Sequence, residues 1–155
     1  MKGEILARFS AATREVLKMM LDIDVEDASL EASGAVAESV EEIAISIGLT
    51  GDFSGETDFY FPRGTALEMV KIMSGMAFDE VDDFVISAMG EISNIISGNA
   101  TTELSKQKII CDILPPKIAV GDKDALCPCG KEVSRSIQTT IHTSAGDVSL
   151  AVKLL

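Results

Sequence analysis

The feature that most limits what this chain can become is a run of strict alternation. Ile43, Ile45, Ile47 and Leu49 fall on one side, with Ala44, Ser46 and Gly48 between them. Successive side chains of a strand point to opposite faces, so an apolar residue at every second position marks a strand with one buried face. Thr50-Gly51-Asp52 is a turn signal, and beyond it Phe53, Gly55, Thr57, Phe59 and Phe61 alternate again. The two runs predict a hairpin. A second hairpin is predicted near the end of the chain, where Val133, Ile137, Thr139 and Ile141 precede Ser144-Ala145-Gly146-Asp147 and Val148, Leu150, Val152 and Leu154 follow it. Two shorter runs have the same period: Ile109, Cys111 and Ile113 ahead of Pro115-Pro116, then Ile118 and Val120 ahead of a polar loop over 121–131. Asp22 to Ser29 is a further candidate for a short strand.

Between the strands the period changes. Leu6, Phe9, Ala12, Val16, Leu17 and Met20 have the three-and-four spacing of one buried helix face, which predicts a helix over 3–20. A short helix carrying Ala66, Met69, Val70 and Met73 follows Pro62 and stops at Ser74-Gly75. The longest helical pattern places Val81, Phe84, Val85, Ala88, Met89, Ile92, Ile95 and Ile96 on its apolar face and runs to about residue 105. Asp79 is positioned to cap it, with Glu80, Asp82 and Asp83 supplying negative charge to a first turn whose dipole favours it. Three helices with hairpins between and after them predict the segregated α+β class, an antiparallel sheet with helices packed on it. No linker, low-complexity tract or tandem repeat interrupts the pattern, so residues 1–155 are read as a single domain.

Twenty-five Asp and Glu against 13 Lys and Arg give a formal net charge of -12. That balance opposes nucleic acid, whose affinity comes from neutralising phosphates with clustered cations, and opposes an anionic membrane surface. With 46% hydrophobic residues the acidity does not signal disorder. The first residues lack the continuous apolar core of a signal peptide, and no segment approaches the roughly 20 apolar residues of a spanning helix, so a cytoplasmic location is expected.

The usual catalytic groups are scarce. His142 is the single histidine, read as an edge-strand residue with no nucleophile signature nearby. With Cys111, Cys127 and Cys129 it completes a nominal Cys3His set, but every candidate in the chain would have to converge. Cys127-Pro128-Cys129 also has one spacer where structural zinc sites usually have about two to four. No metal is expected. Phosphate-cradling Gly-Lys-Ser loops and Gly-x-Gly-x-x-Gly turns are missing. What remains is a polar edge of the long helix, where Ser87, Glu91, Asn94 and Gly98 recur at three or four residues and form one stripe beside the apolar face. By spacing alone such a stripe describes a solvated helix flank, since pairs of this kind are common on helices.

The residues around the stripe add to this. Ser87-Ala-Met-Gly-Glu91-Ile-Ser-Asn94-Ile-Ile-Ser-Gly98-Asn99-Ala100 resembles the signature of the CheC/CheX/FliY family of chemotaxis phosphatases. In that signature Asp or Ser is followed after three residues by Glu, after two more by Asn, and then by Gly-Asn, with a proline some twenty-odd residues beyond. Pro115 or Pro116 occupies the proline region a residue or two early. The resemblance extends to the N-terminal helix, the stretch at 47–55, Phe61-Pro62 and the last two strands. CheC-type members carry two Glu-x-x-Asn helices; here the first helix reads Glu15-Val-Leu-Lys18, so a single motif points to the CheX branch.

The resemblance implies a CheC-like α/β sandwich that hydrolyses the phospho-aspartate of a CheY-like response regulator. It implies no cofactor of the chain's own, Mg²⁺ being supplied by the regulator, and pairing as a homodimer. Asn94 would orient the attacking water and Glu91 would anchor the regulator's active-site Lys. Ser87 and Gly98 would line the partner interface, and Asn99 is expected to bond backbone near the sheet. The alternative is a non-catalytic, flagellar-switch-like interaction module on the same fold.

Overall fold

The computed structural model describes residues 2–23, 29–31, 41–122 and 136–154. Among them the chain forms helices α1 (Lys2–Leu21), α2 (Arg63–Ser74) and α3 (Asp83–Lys106), and strands β1 (Ser29–Glu31), β2 (Glu41–Gly51), β3 (Gly55–Pro62), β4 (Cys111–Ile113), β5 (Lys117–Asp122), β6 (Ser136–Thr143) and β7 (Gly146–Leu154). The strands make one antiparallel sheet in the order β1-β6-β7-β3-β2-β4, with β5 also pairing β2.

Register decides which residues share a face. Ile45 pairs Phe59, which pairs Leu150, which pairs Thr139; all four are buried. One pleat further, Ile43, Phe61, Val148 and Ile141 are fully buried. The helices lie on this face, α1 against β6 and β7 and α3 against β2 and β4. From them Phe9, Val16, Leu17, Met69, Val85, Met89, Ile92 and Ile96 close the core. The result is the expected α+β arrangement of two layers.

The opposite face of the sheet carries Ser46, Glu56, Asp58, Tyr60 and Lys153. There Lys153 Nζ lies 3.5 Å from Asp58 Oδ2 and 3.7 Å from Glu56 Oε2. Burial, and after it the neighbouring Asp58 charge, raise the Glu56 pKa.

The turns follow from local chemistry. Helix α1 closes in an αL motif: Asp22, at φ 51°, donates its N–H to Lys18 O at 3.1 Å, and Ile23 donates to Leu17 O at 3.3 Å. Asp22 and Ile23 therefore end a helix and do not open a strand; β1 begins at Ser29, and 24–28 lie outside the described residues. At the β2–β3 turn Gly51 has φ 126°, and a Cβ there would stand 2.5 Å from Ile110 O. Only glycine fits that approach. The same turn is tied to the entry of β4 by Asp52 N–H to Ile110 O at 2.9 Å and Ile110 N–H to Asp52 Oδ2 at 2.8 Å.

Two expectations for α3 are corrected. Its N-cap is Asp82, whose extended backbone lets Oδ1 accept the Val85 N–H at 3.0 Å, so Asp79, Glu80 and Val81 precede the helix. Asp79 is held elsewhere, its carbonyl accepting from the Arg63 guanidinium. Phe84, assigned to the apolar face, is 52% exposed. His142 lies on β6 two residues beyond the 138–140 stretch that β1 pairs, and its Nδ1 sits 2.7 Å from Asp147 Oδ1 of β7.

Candidate active site

Helix α3 holds the stripe because its opposite side is fastened to the sheet. Val85, Met89, Ile92, Ile96, Ala100 and Leu104 are fully buried, and Ser93 and Ser97 are buried with them. Ser97 Oγ meets its hydrogen-bonding need inside the helix, donating to Ser93 O at 2.8 Å. Gly90 is buried among them, and a Cβ there would lie 2.9 Å from Ile118 Cδ1, the far end of a flexible side chain on β5.

At 100° per residue the buried positions fill one broad arc, and Ser87, Glu91, Asn94 and Gly98 lie roughly 160° from its centre. The stripe thus faces away from the sheet, where it was expected to lie beside the apolar face. Ser87 and Glu91 are exposed, and Asn94 and Gly98 are half-buried. Side chains three residues apart on a helix stand about 5–6 Å apart at Cβ, so Glu91 and Asn94 project together. Above Gly98 the space is open, since a Cβ would meet nothing within 4 Å. Its carbonyl accepts from Thr101 Oγ1 at 3.0 Å and from Thr102 Oγ1 at 2.9 Å, which closes the helix surface just beyond the stripe.

The structure thus brings four of the five sequence-selected residues onto one exposed face and leaves out the fifth. Asn99 is exposed on the flank of α3. In its place the structure adds a residue that sequence reading misplaced. Phe84 is three residues before Ser87 and seven before Glu91, on the same stripe. Its ring stacks on Phe78 with centroids 5.2 Å apart and planes 10° apart. The helical spacing that joined Ser87 to Glu91 was the available signal for it.

The stripe offers a carboxylate, an amide with both donor and acceptor, and a gap where a backbone can come close. This set can bind and orient. The Cys3His constellation is not assembled. Cys111 on β4 and His142 on β6 are four strand steps apart, roughly 19 Å at the usual strand spacing, and on opposite faces. Cys127 and Cys129 lie outside the described residues. Among those described, no group of three or more His, Cys, Asp or Glu is placed to hold a metal ion, and no helix is long and apolar enough to cross a membrane.

A two-layer α+β fold with one exposed Glu-x-x-Asn helix defines a CheC-like protein. The chain belongs to the CheX family, whose model, described as chemotaxis phosphatase CheX, matches residues 43–140. It is 34% identical over 76 residues to the CheY-P phosphatase CheX of Thermotoga maritima, a match covering 48% of this chain and 49% of the relative. The chain thus spans about half the length of that curated relative. Among solved structures, the chemotaxis protein CheX of Vibrio vulnificus superposes with a TM-score of 0.81 at 20% identity, covering 98% of this chain and 99% of the other. The CheX of a CheX-CheY-BeF3-Mg²⁺ complex from Borrelia burgdorferi does so at 0.72 and 22% identity, covering 96% of each. At these identities the likeness is one of fold.

Proposed function

We propose that the chain hydrolyses the phospho-aspartate of a CheY-like response regulator, working in the cytoplasm as a homodimer with one active helix per subunit. The observation that carries this reading is the joint projection of Glu91 and Asn94 from the exposed side of α3, in a chain of the CheX family. Its support includes the relative in Thermotoga maritima named a CheY-P phosphatase and the Borrelia burgdorferi relative solved with CheY, BeF3 and Mg²⁺.

An acyl phosphate is already activated, and the regulator brings its own Mg²⁺ and active-site Lys. What a helper protein can add is position. The Asn94 carbonyl accepts a hydrogen bond from water while its amide donates toward a phosphoryl oxygen, which aims the water in line with the bond that breaks. Attack forms the new P–O bond, and the aspartate carboxylate leaves with the electron pair of the old one. A neutral amide serves this purpose better than a carboxylate, which would repel the anion. Glu91, one turn earlier, pairs with the regulator's Lys through charge-assisted bonds and sets the docking register. Ser87 and Gly98 line the contact.

The test is loss of ³²P from a panel of phosphorylated receivers of the same genome. Asn94→Ala is expected to keep receiver binding and to lower accelerated dephosphorylation by on the order of 10²-fold, the scale of lost positioning. Undiminished acceleration overturns the assignment. Receiver binding without any acceleration by the unmodified protein would instead favour the interaction-module reading. Light scattering of the purified chain checks the dimer.

A further inference from the structure

Of the surface features outside the Glu91–Asn94 pair, the stacked aromatic shelf at the start of α3 leads furthest. Phe84 is 52% exposed while its neighbour Val85 is fully buried, so nothing in the described fold covers the larger side chain. It is nonetheless held in place. Phe78, half-buried against the core, stacks on it at 5.2 Å, and the Arg63 guanidinium bonds the carbonyl of Asp79, next to Phe78. An apolar group fixed before contact loses little freedom on binding, which is what an interface anchor needs.

Two observations say what covers it. Phe84 heads the stripe that carries Ser87, Glu91 and Asn94; at 1.5 Å per residue, ten residues from Phe84 to Asn94 span about 15 Å, within the width of one ordinary protein interface. The residues beside the shelf in the chain, Asp79, Glu80, Asp82 and Asp83, are exposed acids, and Glu91 follows two turns on. A second copy would set these charges against themselves, so the complementary surface is basic. We infer that Phe84, backed by Phe78, is the apolar anchor of the docking surface, taking a receiver face that presents an apolar spot ringed by Lys or Arg beside its acyl phosphate. This rests on the proposed function for the partner's identity and adds a determinant of affinity remote from the reacting atoms.

The experiment measures dephosphorylation kinetics and, separately, binding of the unmodified protein and of Phe84→Ala and Phe84→Met to receivers loaded with beryllofluoride, a stable analogue of the acyl phosphate. Phe84→Ala is expected to raise KM and the dissociation constant about tenfold, the size of loss when an aromatic anchor is truncated, with kcat at saturation unchanged. Phe84→Met recovers most of the affinity. Asp79→Lys with Glu80→Lys, which leaves the Asp82 cap intact, raises KM and flattens its dependence on salt. Phe84→Ala affinity within twofold of the unmodified protein overturns the anchor while the phosphatase reading stands. Binding that falls as expected with no turnover in any variant overturns the phosphatase reading and supports the anchor. No binding by the unmodified protein to any receiver of its genome overturns both.

Discussion

Glu91 and Asn94 stand three residues apart yet are assigned to different steps, and their substitutions separate accordingly. Losing the Glu91 carboxylate would remove the proposed charge-assisted pair and leave in place the Asn94 amide proposed to position water. Glu91→Ala is therefore expected to weaken receiver association by about 1.5–3 kcal/mol, the worth of a hydrogen bond to a charged group, measured by titration calorimetry. Unchanged binding with reduced turnover would place Glu91 in the chemistry instead. Cys111 provides the contrast of a group withheld from solvent. Burial, with Asp112 adding to it, pushes its thiol pKa up, so at neutral pH it remains protonated. In the native protein Cys111 is expected to react with a thiol reagent far more slowly than after denaturation, as followed by mass-resolved labelling.

Element by element, the sequence reveals most where burial is one-sided. The alternation in β2 and β3 and the helical spacing in α1 survive because each residue sees only two environments, core or solvent. The start of α3 is harder to read, because Asp79, Asp82 and Asp83 are all competent caps. The choice falls to Asp82 while Arg63, sixteen positions before Asp79, takes the Asp79 carbonyl. A contact between distant residues leaves no periodic trace. Phe84 was misplaced for a related reason, since hydrophobicity alone sends it inward while its place on the helix turns it outward. Asp82→Ala is expected to destabilise the fold by about 1 kcal/mol, the usual worth of a cap, whereas Asp79→Ala should cost less. Ile96→Ala, on the buried arc, should cost about 2–5 kcal/mol. Urea unfolding followed by circular dichroism ranks the three, and a loss at Asp79 equal to that at Asp82 would contradict the cap.

For the whole molecule, the outer face of the sheet ties stability to pH. The Glu56 pKa lies above its value in an unfolded chain because burial and Asp58 favour the protonated form. The folded state then holds that proton more tightly. Its stabilising contribution is full below the unfolded pKa and is lost as pH rises through the folded one. Glu56→Gln, which fixes the neutral form, is expected to raise Tm at pH 7.5, with the gain narrowing toward pH 4. A Tm lowered at pH 7.5 would mean that the Lys153 ion pair outweighs the cost of burying the charge. α3's outward stripe lies across the helix from the buried residues that fasten the helix to the core. On the proposed reading, specificity on this scaffold is interchangeable: Phe84, Ser87 and the acids Asp79, Glu80 and Asp83 can be rewritten for a different regulator, by drift or by design, while the Asp82 cap and the buried residues that keep the protein folded stay as they are.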